Sequence, residues 1–335
     1  MGGNIFIDTH EVVRLPKEDY FKLTGEVLNL LRKITDNYPH IEMSVVQAMY
    51  DKTDFGDMDI VINTNDRFYK DLLQMTLVQD NNLPASRNGD VVSFLYKKFQ
   101  IDLIFVPTES YSYSKNYFAW NDLGNVIGRL AKKLGFKHGH NGLFYVQRDG
   151  DVVVENHALS YDYEDILKIL QLDLDKFKAG FNNALEMFEW AGKSPYFDPE
   201  IFKFENLNHI NKVRDRKRVV YNQLVNWCVN DYVPTVNRIP FPDKDKRLDF
   251  VLQHFPSIKT KVDENDIRIA LQRATAQKFN GRLVMQWVPE LSGKKLGDFL
   301  FAYKGSKEHY SAYVLNASEE EIKQDVLEYY KSWTK

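Results

Sequence analysis

The sequence predicts a mixed α/β fold, and three observations carry that reading. Gly56-Asp57-Met58-Asp59-Ile60-Val61-Ile62 alternates in polarity and is rich in β-branched residues, the pattern of a strand with two unlike faces. Phe99–Val106 reads as a second strand, which Ile101, Leu103, Ile104 and Phe105 make mostly buried. Helical spacing fills much of the rest. It begins at Lys17 to Asn37, where Phe21, Leu23, Val27, Leu28, Leu31 and Ile34 recur on one face. Further on, Val219 to Val229, Asp263 to Phe279 and Ser318 to Trp333 read as helices, the last opening with a capping box at Ser318-Glu319-Glu320-Glu321. Pro234 to Asp245, with three prolines, reads as a connector.

The two strands carry the chemistry. Asp57 and Asp59 project from one strand face with Cα atoms about 7 Å apart, and pairing of the strands would bring Asp102 within about 5 Å of one of them. Three carboxylates that close repel by about 3 kcal/mol per pair at an effective dielectric near 20, which a fold seldom accepts without a cation. Asp-x-Asp alone is common on solvated sheet faces. The third carboxylate, inside an apolar strand, shifts the reading to a metal site. Hard oxygen ligands suit Mg²⁺ or Mn²⁺, and two such ions about 4 Å apart clamp the entering and leaving oxygens of a phosphoryl transfer.

At 335 residues the chain has room for two or three domains, and 44% apolar content suffices for their cores. No apolar run is long enough for a membrane span, no signal peptide is visible, and Phe6 stands where a myristoylation signal needs Ser or Thr. A single cysteine, Cys228, between Val225 and Val229, fits a buried thiol and a reducing, cytoplasmic compartment. Net charge of −3 means that any nucleic-acid surface must be local. The local candidate is Lys212-Val213-Arg214-Asp215-Arg216-Lys217-Arg218, five bases against one acid. Arg214, Arg216, Lys217 and Arg218 are the expected phosphate contacts, against the alternative of a solvated helix face paired with Glu186 and Glu189.

Residues from about Val46 to Leu172 resemble the palm and thumb of the family X DNA polymerases, within the polymerase beta-like nucleotidyltransferase superfamily. Gly56-Asp57-Met58-Asp59 matches the first metal motif and Ile101-Asp102-Leu103 the second. Tyr117-Phe118-Ala119-Trp120-Asn121-Asp122 stands where the family has Tyr-Phe-Thr-Gly-Ser-Asp, with Asn125 and Arg129 following at the family's spacing. Leu130–Lys137 and Gly142-Leu143-Phe144 resemble the next helix and hairpin, and Tyr163–Leu172 the closing helix. The resemblance implies a palm with a mixed sheet, a small thumb-like subdomain and a helical carboxyl-terminal extension, divided as 1–110, 111–180 and 181–335. By that resemblance Asp57 and Asp59 would bridge two metals and Asp102 would ligate the catalytic one beside the primer 3′-hydroxyl. Gln47, Gly56, Tyr117, Phe118, Asp122 and Asn125 would surround the nucleotide, and Arg129 would contact the template strand.

Departures from the family are equally specific. Val46, Gln47 and Tyr50 replace the Gly-Ser and arginine that hold the triphosphate there, leaving Lys52 or Arg87 to compensate. Trp120 replaces the glycine of the sugar-side turn and could act as a stacking platform. No lyase or helix-hairpin-helix segment is visible ahead of Asp57, so lyase activity is not expected. His138 and His140 read as part of a polar turn rather than a metal site, and Gly293–Leu300, weakly similar to the tails of tRNA CCA-adding enzymes and poly(A) polymerases, reads as a tight helix-to-helix turn. The expected activity is addition of a nucleoside triphosphate to a nucleic-acid 3′-hydroxyl with release of pyrophosphate. Templated DNA repair synthesis on a primer/template leads. Template-independent addition to an RNA or tRNA 3′ end, and a non-catalytic nucleic-acid-binding protein of the same fold, are the alternatives.

Overall fold

The structure, a computed structural model, describes residues 5–38, 40–80 and 82–334. The chain divides into two compact units, one holding residues up to 146 together with 155–256, the other 147–154 together with 257 onward. The expected boundaries at 110 and 180 both fall inside the first unit. Residues beyond 180 stay with it because Phe177, Phe181 and Trp190 form one aromatic cluster across that point.

The first unit opens with β1 (Leu15–Pro16) and α1 (Lys17–Thr35), then β2 (Met43–Val45), β3 (Asp54–Phe55), β4 (Asp57–Asn63), α2 (Arg67–Met75), β5 (Ala85–Asn88), β6 (Val91–Tyr96) and β7 (Phe99–Val106). Five of these strands form a mixed sheet in the order β2-β4-β7-β6-β5, in which only β4 and β7 run parallel. Period-two alternation sends Met58, Ile60 and Ile62 of β4, and Ile101, Leu103 and Phe105 of β7, into one core with Leu23, Val27 and Leu31 of α1. Each such side chain contributes about 1.5–3 kcal/mol when fully buried. Phe21, expected on the buried face of α1, is exposed, and Tyr20 takes that place, stacked on Phe55 at 3.8 Å. The opposite sheet face therefore carries Asp57, Asp59, Gln100 and Asp102.

After the sheet come α3 (Tyr111–Phe118) and α4 (Leu123–Leu134), the latter closed by Gly135 in a left-handed conformation at φ 100°. A three-stranded sheet follows, from β8 (Phe136–Gly139), β9 (Gly142–Asp149) and β10 (Val152–Ser160). Then come α5 (Tyr163–Ile169), α6 (Leu174–Ala179), α7 (Ala184–Gly192), α8 (His209–Asp215), α9 (Val219–Asn230) and α10 (Arg247–His254). Irregular backbone precedes α10, as the prolines after Tyr232 predict. Cys228 is buried in α9, and burial pushes its thiol up to about 12.

The second unit is a helical body of α11 (Lys259–Lys278), α12 (Gly281–Trp287), α13 (Gly293–Gly305), α14 (Tyr310–Asn316) and α15 (Glu319–Trp333), built on Phe279, Leu291, Phe299, Tyr303 and Val326. The capping box at Ser318 and Glu321 is formed. Two expectations shift here. α11 starts one turn before Asp263, and Gly293–Leu300 is the first half of α13 rather than a turn, because the chain reverses earlier, at Pro289–Ser292. Among the described residues no helix is long and apolar enough to cross a membrane.

Candidate active site

Parallel pairing of β4 with β7 puts Asp59 directly opposite Asp102 and Asp57 opposite Gln100. One oxygen from each of Asp57, Asp59 and Asp102 lies within 4.8 Å of the others, and among the described residues this is the one cluster able to hold a metal ion. The rest of β7 is buried, so the half-buried Asp102 is the exception that the strand pattern predicts. Gln100 donates from Nε2 to both Asp102 oxygens at 3.0 Å, and Ser93, facing Asp102 from β6, hydrogen-bonds it as well. These contacts fix the carboxylate without supplying positive charge.

Burial, joined by repulsion from Asp57 and Asp102, pushes the Asp59 carboxyl up to about 7. Burial also raises Asp57, against the pull of Lys52, and raises Asp102, against its bonds to Ser93 and Gln100. All three shifts point the same way. The trio holds more negative charge than its surroundings neutralise, which is what a divalent cation with oxygen ligands would correct.

Asp57 and Asp59 line a cleft of about 710 Å³, with Asp102 beside them. Of the expected nucleotide contacts, Gln47, Gly56, Tyr117, Phe118, Asp122 and Asn125 all line it. Phe118 stacks on His140 at 5.6 Å, which brings His140 into the lining, whereas His138 turns inward and bonds the Tyr113 hydroxyl at 2.6 Å. His138 belongs to β8, and only His140 lies in the turn that follows it. Gly124 allows the close turn between α3 and α4, since a Cβ there would sit 2.4 Å from the Tyr117 carbonyl oxygen.

Trp120 is not an exposed platform. It is 2% exposed, wedged against Tyr50, Phe181 and Gly180, while its backbone keeps the left-handed φ of 60° that glycine favours. Tyr50 is spent on that same packing and donates to the Ala179 carbonyl at 2.9 Å. Arg87 lies on the edge strand β5, paired with Asp71 at 2.5 Å and outside the cleft lining. Lys52 does reach the cleft, its Nζ 4.4 Å from the Phe55 ring, where burial lowers its pKa against the pull of Asp57 and Asp59. A further cation went unread in the sequence: Arg14, brought in by pairing of β1 with β3 and bonded to Asp54 at 2.6 Å, lines the cleft too.

The basic run splits. Arg214 and Arg218 line the cleft, whereas Arg216, over the Phe204 ring, and the exposed Lys217 do not. Glu186 is not their partner; it pairs with Lys176. Arg129 is not in the lining either. Its guanidinium is bonded to the fully buried Asp215 and lies 4.9 Å from the Tyr221 ring centre, so the residue expected at the template strand is turned to the protein interior here. Arg214 donates to the Asn125 Oδ1 at 3.2 Å, and Arg218 pairs with Asp122. The Asn125 Nδ2 is buried and has no acceptor among the described residues. The chain matches no protein-family model, and no curated protein is significantly similar to it.

Proposed function

We propose that this cleft performs metal-dependent nucleotidyl transfer, moving the nucleoside monophosphate part of a nucleoside triphosphate onto a nucleic-acid 3′-hydroxyl. The observation that carries the reading is the convergence of Asp57, Asp59 and Asp102 from two parallel strands, with Asp57 and Asp59 lining a cleft that four cations also line. Its volume falls in the range of small-molecule sites, and its chemistry suits a phosphorylated ligand. Asp57 and Asp59 are suited to hold Mg²⁺ or Mn²⁺ jointly, with Asp102 completing one site. Bound there, the ions would stabilise charge on the attacking and leaving oxygens. In this reading Asp102 would accept the proton of the attacking hydroxyl, as the new bond to the α-phosphorus forms and pyrophosphate departs. Lys52 and Arg14 supply the positive charge that Val46, Gln47 and Tyr50 do not.

One observation favours addition without a template. Templated synthesis rested on Asn125 and Arg129; Arg129 is bonded to Asp215 outside the cleft lining, while Asn125 stays in the lining with its Oδ1 accepting from Arg214. With Mg²⁺ or Mn²⁺ the protein should extend a single-stranded RNA or a tRNA lacking its 3′ end better than gapped or blunt DNA, each nucleotide being offered in turn. Asp102→Ala should abolish extension with the fold intact. Equal extension by Asp102→Ala would remove the assignment. No extension of any end by the wild type would leave a nucleic-acid-binding protein.

A further inference from the structure

We infer that Asp215 is a positioning residue, which holds Arg214 and Arg218 as a rigid pair of phosphate-binding forks at the cleft wall. The inference rests on the nucleotidyl-transfer reading of the cleft and adds the means by which phosphate is gripped far along the chain from Asp57.

Asp215 is 0% exposed and is surrounded by arginines. Its Oδ2 accepts from Arg129, its Oδ1 accepts from the Arg214 Nε at 2.8 Å, and the Arg218 Nε lies 3.8 Å from that same oxygen. A buried carboxylate without partners would be costly, so its charge ties the end of α8 to α4 through Arg129. Arg129 is thereby the internal counter-ion, and the other two guanidiniums are left reaching the cleft. Arg218 also meets Asp122, so three guanidiniums stand against two carboxylates, and one positive charge is unbalanced beside the cleft. Each guanidinium has five N–H donors, more than Asp215, Asp122 and Asn125 use here. Arg214, held at Nε by Asp215, and Arg218, held at Nη1 by Asp122 with Asp215 as a nearby counter-charge, present their remaining donors in a fixed direction, the arrangement that suits phosphate oxygens. Asn125 Nδ2, buried without an acceptor, adds an unspent donor in the same lining.

The phosphate could belong to the nucleotide or to the acceptor strand, so the test has two arms: ATP with Ca²⁺, and a single-stranded oligonucleotide, each titrated without turnover. Arg214→Gln and Arg218→Gln should each weaken at least one ligand about tenfold, the size of a charge-assisted hydrogen bond. Asp215→Asn keeps the side-chain shape but not the charge, and should weaken the same ligand comparably. Added to the Arg214→Gln, Arg218→Gln double variant, it should weaken it no further, because the residues act as one unit. A purely structural Asp215 would lower the melting temperature and leave both affinities unchanged, which would overturn the inference, as would failure of the wild type to bind either probe. If Asp215→Asn does not fold, Arg214→Lys and Arg218→Lys decide. Losses as large as those of the Gln variants support the held fork, and wild-type affinity overturns it. The two readings fail separately. Coupled losses of ATP affinity in a protein with no transfer activity would sink only nucleotidyl transfer. Wild-type affinities in every variant of a protein whose transfer needs Asp102 would sink only this inference.

Discussion

Replacing Asp59 with asparagine should make the metal-free protein more stable while removing its response to divalent metal. Asp59 sits between two other carboxylates, within 4.8 Å of oxygens of both, and burial with their repulsion holds its carboxyl near 7. An unfolded aspartate titrates near 4. Since the folded value is the higher, the native state binds the extra proton between the two, and stability falls as pH rises from about 4 through about 7. Above that range the whole cost of charging is present. The variant should therefore gain on the order of 2 kcal/mol over the wild type at pH 8, part of a close-pair repulsion of about 3 kcal/mol, and gain little at pH 4. Urea midpoints at the two pH values, with and without Mn²⁺, measure this. Mn²⁺ should raise the wild-type midpoint at pH 8 and leave the variant unmoved. A variant less stable than the wild type at pH 8, or stabilised equally by Mn²⁺, would mean that the carboxylates are a packing feature and not a cation site.

Arg129→Ala should cost about 3 kcal/mol of stability, the low end for breaking a buried pair, because Asp215 keeps Arg214 as a partner. The loss also includes guanidinium packing on Tyr221. A lower urea midpoint at unchanged slope is the expected signature. The ratio of activity on gapped duplex to activity on a single-stranded end should stay as in the wild type. Near-native stability with a selective loss on gapped duplex would restore Arg129 as a template contact.

The two predictions mark where sequence reasoning reached and where it stopped. The carboxylate trio was legible because each strand carries its own alternation, and only one pairing had to be supposed for Asp102 to meet Asp59. The helices α1, α9, α11 and α15 were legible for a similar reason: apolar spacing is local, and so is the capping box that opens α15. Arg14 was not legible. Its place depends on a two-residue strand pairing with Leu15 opposite Phe55, which no periodicity announces. Trp120 misled because a large aromatic at a glycine position reads as exposed until Gly180, far along the chain, is seen making room for it. The basic run was legible only in part. Five cations suggested a solvated or phosphate-binding surface, while the single acid among them, Asp215, is the residue around which Arg129, Arg214 and Arg218 gather. A lone opposite charge in such a run is a usable signal of a buried counter-ion.

The most direct test follows the phosphorus atoms. A nucleoside triphosphate labelled at the α-phosphorus is offered with Mg²⁺ and a single-stranded RNA carrying a free 3′-hydroxyl, to wild-type protein and to Asp102→Ala. Nucleotidyl transfer at this trio predicts that the label enters the RNA with one pyrophosphate released per label transferred, and that the variant transfers none. Transfer from the γ-position, or label incorporation that survives in Asp102→Ala, would contradict it.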